Sequence, residues 1–107
     1  MRAFELAEIE TAHAAAGRLY HEFLREPSLS LGLYVLPAGG IDPQSPHDQD
    51  EVYYVLRGNG KIEVAGETRA VGAGSIVFVA ANVEHRFSDI TEELAILVFF
   101  APAEASG

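Results

Sequence analysis

His47 and Glu51 are separated by Asp48, Gln49 and Asp50, three polar residues that suit a tight loop better than a strand interior. Such a loop brings an imidazole and a carboxylate to one point. From Glu51 the chain reads EVYYVL, β-branched and aromatic, which predicts a strand. With a period of two, Glu51, Tyr53 and Val55 share one face, and Val52, Tyr54 and Leu56 the other. Both faces are largely apolar, so a buried carboxylate at the head of this strand needs a cation, a proton or a hydrogen-bond donor. A neutral imidazole and a divalent metal ion together meet that need. A second histidine arrives with GSIVFVAANVEHRFSD, residues 74–89. There Ile76–Val79 predicts a short apolar strand, Ala81-Asn82 a turn, and His85 the start of another strand with Phe87 on its face. Taken singly, each histidine reads as a hydrogen-bonded core or rim residue. Jointly, two histidines and one glutamate, each where a strand meets a turn, form a facial donor set with coordination positions left open.

The elements that must position these residues carry a family pattern. Glu51 is followed by VYYVLR and Gly58, and His47 lies four residues before Glu51. Gly74, Ala80, Asn82, His85 and Asp89 are spaced as a second motif. The two stretches resemble the paired motifs of the cupin superfamily. Ser45 stands where the first motif has its first histidine, and Ala80, Asn82 and Asp89 replace that family's proline, glycine and asparagine. Asn tolerates the left-handed turn geometry of a glycine. The resemblance implies an all-β double-stranded β-helix, a jelly-roll barrel with its site inside and a short N-terminal helix. It further implies one divalent metal ion (Fe, Mn, Ni or Zn) held by His47, Glu51 and His85. Gln44, whose amide oxygen suits a hard or borderline cation, is the optional fourth ligand, and Ser45 packs or hydrogen-bonds. Tyr53 and Phe87 are expected to wall the cavity, with Tyr53 the candidate catalytic acid or hydrogen-bond donor. The function implied is a metal-dependent enzyme of the dioxygenase, isomerase or lyase kind acting on a small molecule. The alternative is a non-catalytic module that binds a small ligand or sugar, its metal structural or absent.

Along the chain, residues 8–16 (EIETAHAAA) before Gly17 predict one short helix packed outside a sheet. LYHEFL, residues 19–24, and LSLGLYVLP, residues 29–37, predict strands on either side of Pro27. After the site strand, Asn59-Gly60 is the strongest hairpin signal and predicts a turn between residues 51–57 and 61–65. Ala65-Gly66 and Gly72-Ala73-Gly74 predict two more turns, and LAILVFF, residues 94–100, a last apolar strand. Short strands at such intervals indicate an all-β sandwich or barrel. One domain over residues 1–107 is expected, with an N-terminal strand and helix arm at 1–28 and the barrel at 29–101.

The formal charge of −9 argues against nucleic acid or an anionic membrane as partner, because both reward Lys and Arg. With no cysteine there is neither a disulfide framework nor a thiol nucleophile. The acidic start MRAFELAEIE lacks the apolar run of a signal peptide, so a cytoplasmic location is the expectation. So is a homodimer, because the N-terminal segment and LAILVFF offer more apolar strand surface than one small barrel covers. His13 and His21 match neither motif and are expected on the surface.

Overall fold

The alanine-rich run and its glycine stop place the helix as expected. In the computed structural model, which describes residues 1–43 and 46–104, α1 spans Leu6–Ala16 and ends at Gly17, whose φ of 66° is left-handed and suited to glycine. The helix lies on the outer face of the sheet. Ile9 packs there on Leu33 and Ala95, flanked by Phe23, Val35, Leu56 and Leu97. His13, half-buried, puts Nε2 2.8 Å from the Leu19 carbonyl and so fastens the helix end to the first strand.

Among the described residues six strands follow: β1 (Tyr20–Glu26), β2 (Leu29–Leu36), β3 (Asp50–Val64), β4 (Glu67–Gly72), β5 (Ile76–Val79) and β6 (His85–Ala101). They run in the order β1-β2-β6-β3-β4, with β5 also on β3, and every pairing is antiparallel. The fold is an all-β double-stranded β-helix with one short N-terminal helix. Its interior holds the inward residues of both long strands, among them Tyr53, Val55, Ile62, Phe87, Leu94 and Ile96. Burial follows the alternation expected of the site strand: Glu51, Tyr53 and Val55 are buried and Tyr54 is exposed.

Asn59-Gly60 does not turn. β3 continues through it and pairs with β6 from Asp50 opposite Ala101 to Val64 opposite His85, with register shifts between Val55 and Lys61. The glycines here serve a crossing rather than a hairpin. At Gly58, φ is 100°, and a Cβ would lie 2.1 Å from the Glu93 carbonyl oxygen, so any side chain would collide with the β6 backbone. Tertiary packing thus overrides a strong local turn preference. The chain reverses instead at Ala65-Gly66, where φ is 50° and 84°, as expected for that pair. LAILVFF is likewise not an edge. It belongs to β6, the 17-residue strand that His85 opens, and lies between β2 and β3 with Leu94, Ala95 and Ile96 fully buried. Exposed apolar side chains lie elsewhere, among them Ile76, 68% exposed, and Phe78, 61%, both on β5.

Candidate metal site

His47 precedes β3, Glu51 is the second residue of β3, and His85 opens β6. The β3–β6 and β3–β5 registers put Glu51 opposite Phe100 on one side and Val79 on the other, so its side chain points into the barrel. Two hydrogen bonds fix His47 against the turn that delivers His85. The Asn82 amide donates to the His47 carbonyl at 2.7 Å, and the Ala81 amide donates to Asp50 Oδ1 at 2.9 Å. Asn82, in the family's glycine position, has φ 64°, so the asparagine does adopt the left-handed turn. One ligand atom from each of His47, Glu51 and His85 lies within 4.8 Å of the others. The structure therefore brings together three of the residues singled out on sequence. Gln44 and Ser45 lie outside the described residues.

The electrostatics of the trio are unusual. His85 Nδ1 is 2.8 Å from the Val83 carbonyl, which fixes that nitrogen as the N–H and turns Nε2 toward Glu51 as a lone pair. Nε2 is 2.8 Å from Glu51 Oε1, with each side chain only 1% exposed. His85 Nε2 and Glu51 Oε2 have no hydrogen-bond partner among the described residues. A buried lone pair facing a buried carboxylate is repulsive unless a positive centre sits between them. Without a metal, that centre is a proton. Burial, the largest influence, lowers the His85 pKa, but the close Glu51 carboxylate, the Val83 carbonyl and the charges of Glu51 and Asp42 outweigh it and raise it overall. A divalent cation supplies the same positive charge, and two imidazole nitrogens with a carboxylate suit a borderline metal. The donor set fits.

Tyr53 is fully buried, its ring centroid 6.0 Å from that of His85 and 4.9 Å from that of Phe87. It backs the imidazole, and the wall of the adjoining cavity is formed by other side chains. That cavity, about 780 Å³, opens beside His47 and is lined by Tyr20, Glu22, Tyr34, Phe100 and Glu104 among others. His21, expected on the surface, lines the cavity as well.

Two of the supporting residues carry no readable signal in the sequence. Asp42 is 2% exposed. Its Oδ1 accepts a 2.5 Å bond from the Tyr34 hydroxyl and its Oδ2 a 2.9 Å bond from the Phe87 amide, so it ties the approach to His47 to β2 and to β6. Burial, and then the hydrogen bond and charge of Asp42, push the Tyr34 hydroxyl well above its ordinary range. Glu104, 8% exposed, sets Oε1 3.9 Å from His47 Nδ1. An aspartate between Ile41 and Pro43 and a glutamate in an Ala/Pro tail look like ordinary loop residues. Tyr20 is a different case, because the alternation of β1 turns Tyr20 and Glu22 to the same side and is readable from sequence.

A cupin domain family matches residues 32–100. The chain is 50% identical over 105 residues to an uncharacterized protein of Streptomyces coelicolor, an alignment covering 98% of this chain and all of that one. Among solved structures it is similar to an RmlC-like cupin from Shewanella frigidimarina (21% identity, TM-score 0.75, 81% of this chain and 78% of that one). It is similar also to TT1209 from Thermus thermophilus (22% identity, TM-score 0.75, 96% of this chain and 99% of that one). At these identities the two structures speak for the fold alone.

Proposed function

This chain belongs to the cupin superfamily, and from that premise we propose that it is a metal-dependent enzyme of the dioxygenase, isomerase or lyase kind, with His47, Glu51 and His85 holding one divalent ion. The observation that carries the proposal is the pair of buried atoms without hydrogen-bond partners among the described residues, His85 Nε2 and Glu51 Oε2. Both lie within the trio, and one positive centre there satisfies them together. When bound, the metal supplies a Lewis acid with open coordination positions for a small molecule or oxygen.

The chain's own residues do the rest. Val83 fixes the tautomer of His85, Asn82 and Asp50 hold the His47 loop against the turn, and Asp42 anchors the approach to it. Phe100 and Tyr34 line the cavity beside His47 with ring surface. Tyr53, packed against the His85 and Phe87 rings, is assigned as the acid or hydrogen-bond donor of the site. One domain over residues 1–107 carries the whole arrangement. A second copy on the exposed Ile76 and Phe78 face of β5 would complete a homodimer, since an apolar patch beside an exposed Tyr54 favours burial.

The test is metal analysis of protein purified without a histidine tag, followed by oxygen consumption and product analysis with candidate small molecules. Stoichiometric Fe, Mn, Ni or Zn with turnover is the expected result. Stoichiometric metal with ligand binding and no turnover would favour the non-catalytic binding module, and protein that takes up no metal would overturn the metal reading.

A further inference from the structure

The segment that follows β6, beyond the residues matched to the cupin family, is pinned by its backbone to the β1–β2 hairpin. The Ala103 amide donates to the Pro27 carbonyl at 3.3 Å, the Glu104 amide to Ser30 Oγ at 3.0 Å, and Arg25 to the Glu104 carbonyl at 2.6 Å. Ser30 is fully buried and Arg25 is also engaged with the Glu22 carboxylate, so both anchors are themselves held. None of these three bonds uses the Glu104 carboxylate, and glutamine or alanine would keep them all. A buried carboxylate is costly unless it is paired. Glu104 is 8% exposed, and its Oε1 lies 3.9 Å from His47 Nδ1.

At that distance the contact is electrostatic rather than a hydrogen bond, and it has a direction. A neutral imidazole carries one N–H and one lone pair. A carboxylate beside Nδ1 attracts the N–H to that nitrogen and repels a lone pair there, which leaves the lone pair on Nε2. The ring itself is held by packing: it meets Phe100 edge-on at 5.0 Å and lies 5.8 Å from the His85 ring, centroid to centroid. Packing sets where the ring is, and the carboxylate decides which nitrogen it offers. His85 is set in the same way by a different acceptor, since the Val83 carbonyl takes its Nδ1–H and Nε2 faces Glu51. Glu104 is not one of the three residues whose ligand atoms lie within 4.8 Å of one another, so it bears on the trio through His47 rather than as a member of it.

We propose that Glu104 is the positioning residue for His47: its carboxylate keeps the imidazole proton on Nδ1 and presents the Nε2 lone pair to the metal. This deepens the proposed function and rests on its reading of the trio as a metal site. Both histidines then ligate through Nε2, His85 oriented by its own turn and His47 by a strap that the β1–β2 hairpin holds in place.

The experiment reads the tautomer first, by long-range proton–nitrogen NMR of the full chain labelled at histidine, chelated and at a pH alkaline enough for a neutral imidazole. In the wild type His47 should carry its proton on Nδ1, and in Glu104→Gln, which keeps the three backbone bonds, the population should move toward the Nε2–H form. Zinc affinity is then measured by competition with a chromophoric chelator. Glu104→Gln should bind zinc about tenfold more weakly, and in the zinc-loaded wild type the metal should sit on His47 Nε2. Glu22→Gln, which removes another carboxylate from the wall of the same cavity, should bind zinc as the wild type does. An unprotonated Nδ1 in the chelated wild type, an unchanged tautomer or unchanged zinc affinity in Glu104→Gln, or an equal loss of affinity in Glu22→Gln overturns the proposal, the last because it would make the effect one of cavity charge alone. The tautomer separates the two readings: a wild type that takes up no zinc, yet loses its Nδ1–H in Glu104→Gln, would defeat the metal assignment and leave the hold of Glu104 on His47 standing.

Discussion

Replacing Asp42 by alanine tests the device that holds the site loop. Its carboxylate accepts from the Tyr34 hydroxyl and from the Phe87 amide, and it is 2% exposed, so water cannot take its place. A hydrogen bond to a charged group contributes about 1.5–3 kcal/mol, and a buried donor left alone costs about 1–3 kcal/mol. Because these quantities overlap, Asp42→Ala should lose about 3–5 kcal/mol, a large part of the roughly 5–15 kcal/mol that holds a domain together. Asp42→Asn keeps one acceptor oxygen but sets an amide N–H against a donor, and about 2 kcal/mol should go. Tyr34→Phe removes one of the two bonds and should lose about 1–2 kcal/mol. The assay is urea unfolding of chelated protein at neutral pH, with Tyr34→Phe and Asp42→Ala combined. Since the two share a bond, the double variant should fall short of additivity by about 1 kcal/mol or more. Full additivity, or a loss below about 1 kcal/mol for Asp42→Ala, would refute the claim that this carboxylate anchors the loop.

Alanine at His47, Glu51 or His85 should each abolish stoichiometric metal while circular dichroism still reports the barrel, whereas His13→Ala should retain metal; a fully loaded Glu51→Ala protein would remove the carboxylate from the site. The pH slopes of stability should oppose each other. In chelated protein the raised His85 pKa contributes stability that is complete below the unfolded value of about 6.5 and is lost as pH rises through the folded value, while in metal-loaded protein protons compete with the metal and stability rises over the same interval; thermal melts with parallel slopes would contradict this. Phe78→Glu should convert a dimer to a monomer in light scattering without lowering metal content, and a wild-type monomer at micromolar concentration would end the dimer proposal. Tyr53→Phe should preserve metal content and lower turnover, and unchanged turnover would remove Tyr53 from the chemistry.

The ligands are legible in the sequence because their chemistry is local. His47 and Glu51 are separated by a polar tripeptide, Glu51 heads an apolar strand, and His85 follows a turn, so residue type and short spacing suffice to suggest the trio. The helix stop at Gly17 and the reversal at Ala65-Gly66 are legible for the same reason, each being decided by a few residues. Asn59-Gly60 misleads because its local preference is real but is outweighed by the crossing of β6 at Gly58, where Glu93 leaves no room for a side chain. No window of sequence around residue 59 contains Glu93. LAILVFF misleads in a similar way. Its apolar character is plain, but whether such a strand lies at an edge or in the middle depends on what pairs with it.

The supporting residues depend on that same long-range pairing. Asp42 meets Phe87 across 45 positions and Glu104 meets Ser30 across 74, and both meetings exist only because β6 lies between β2 and β3 in one register. The register is also what makes the trio. A slip of one residue between β3 and β6 would turn Glu51, Tyr53 and Val55 outward and bring Val52 and Tyr54 in, leaving His85 to face apolar side chains. The bulges between Val55 and Lys61 lie at the crossing, and the inward alternation is intact on the Glu51 side of them. The chemistry of this barrel therefore depends on Gly58 as much as on the ligands, since a side chain there would push β3 off the β6 backbone and disturb the pairing that aims Glu51 at His85.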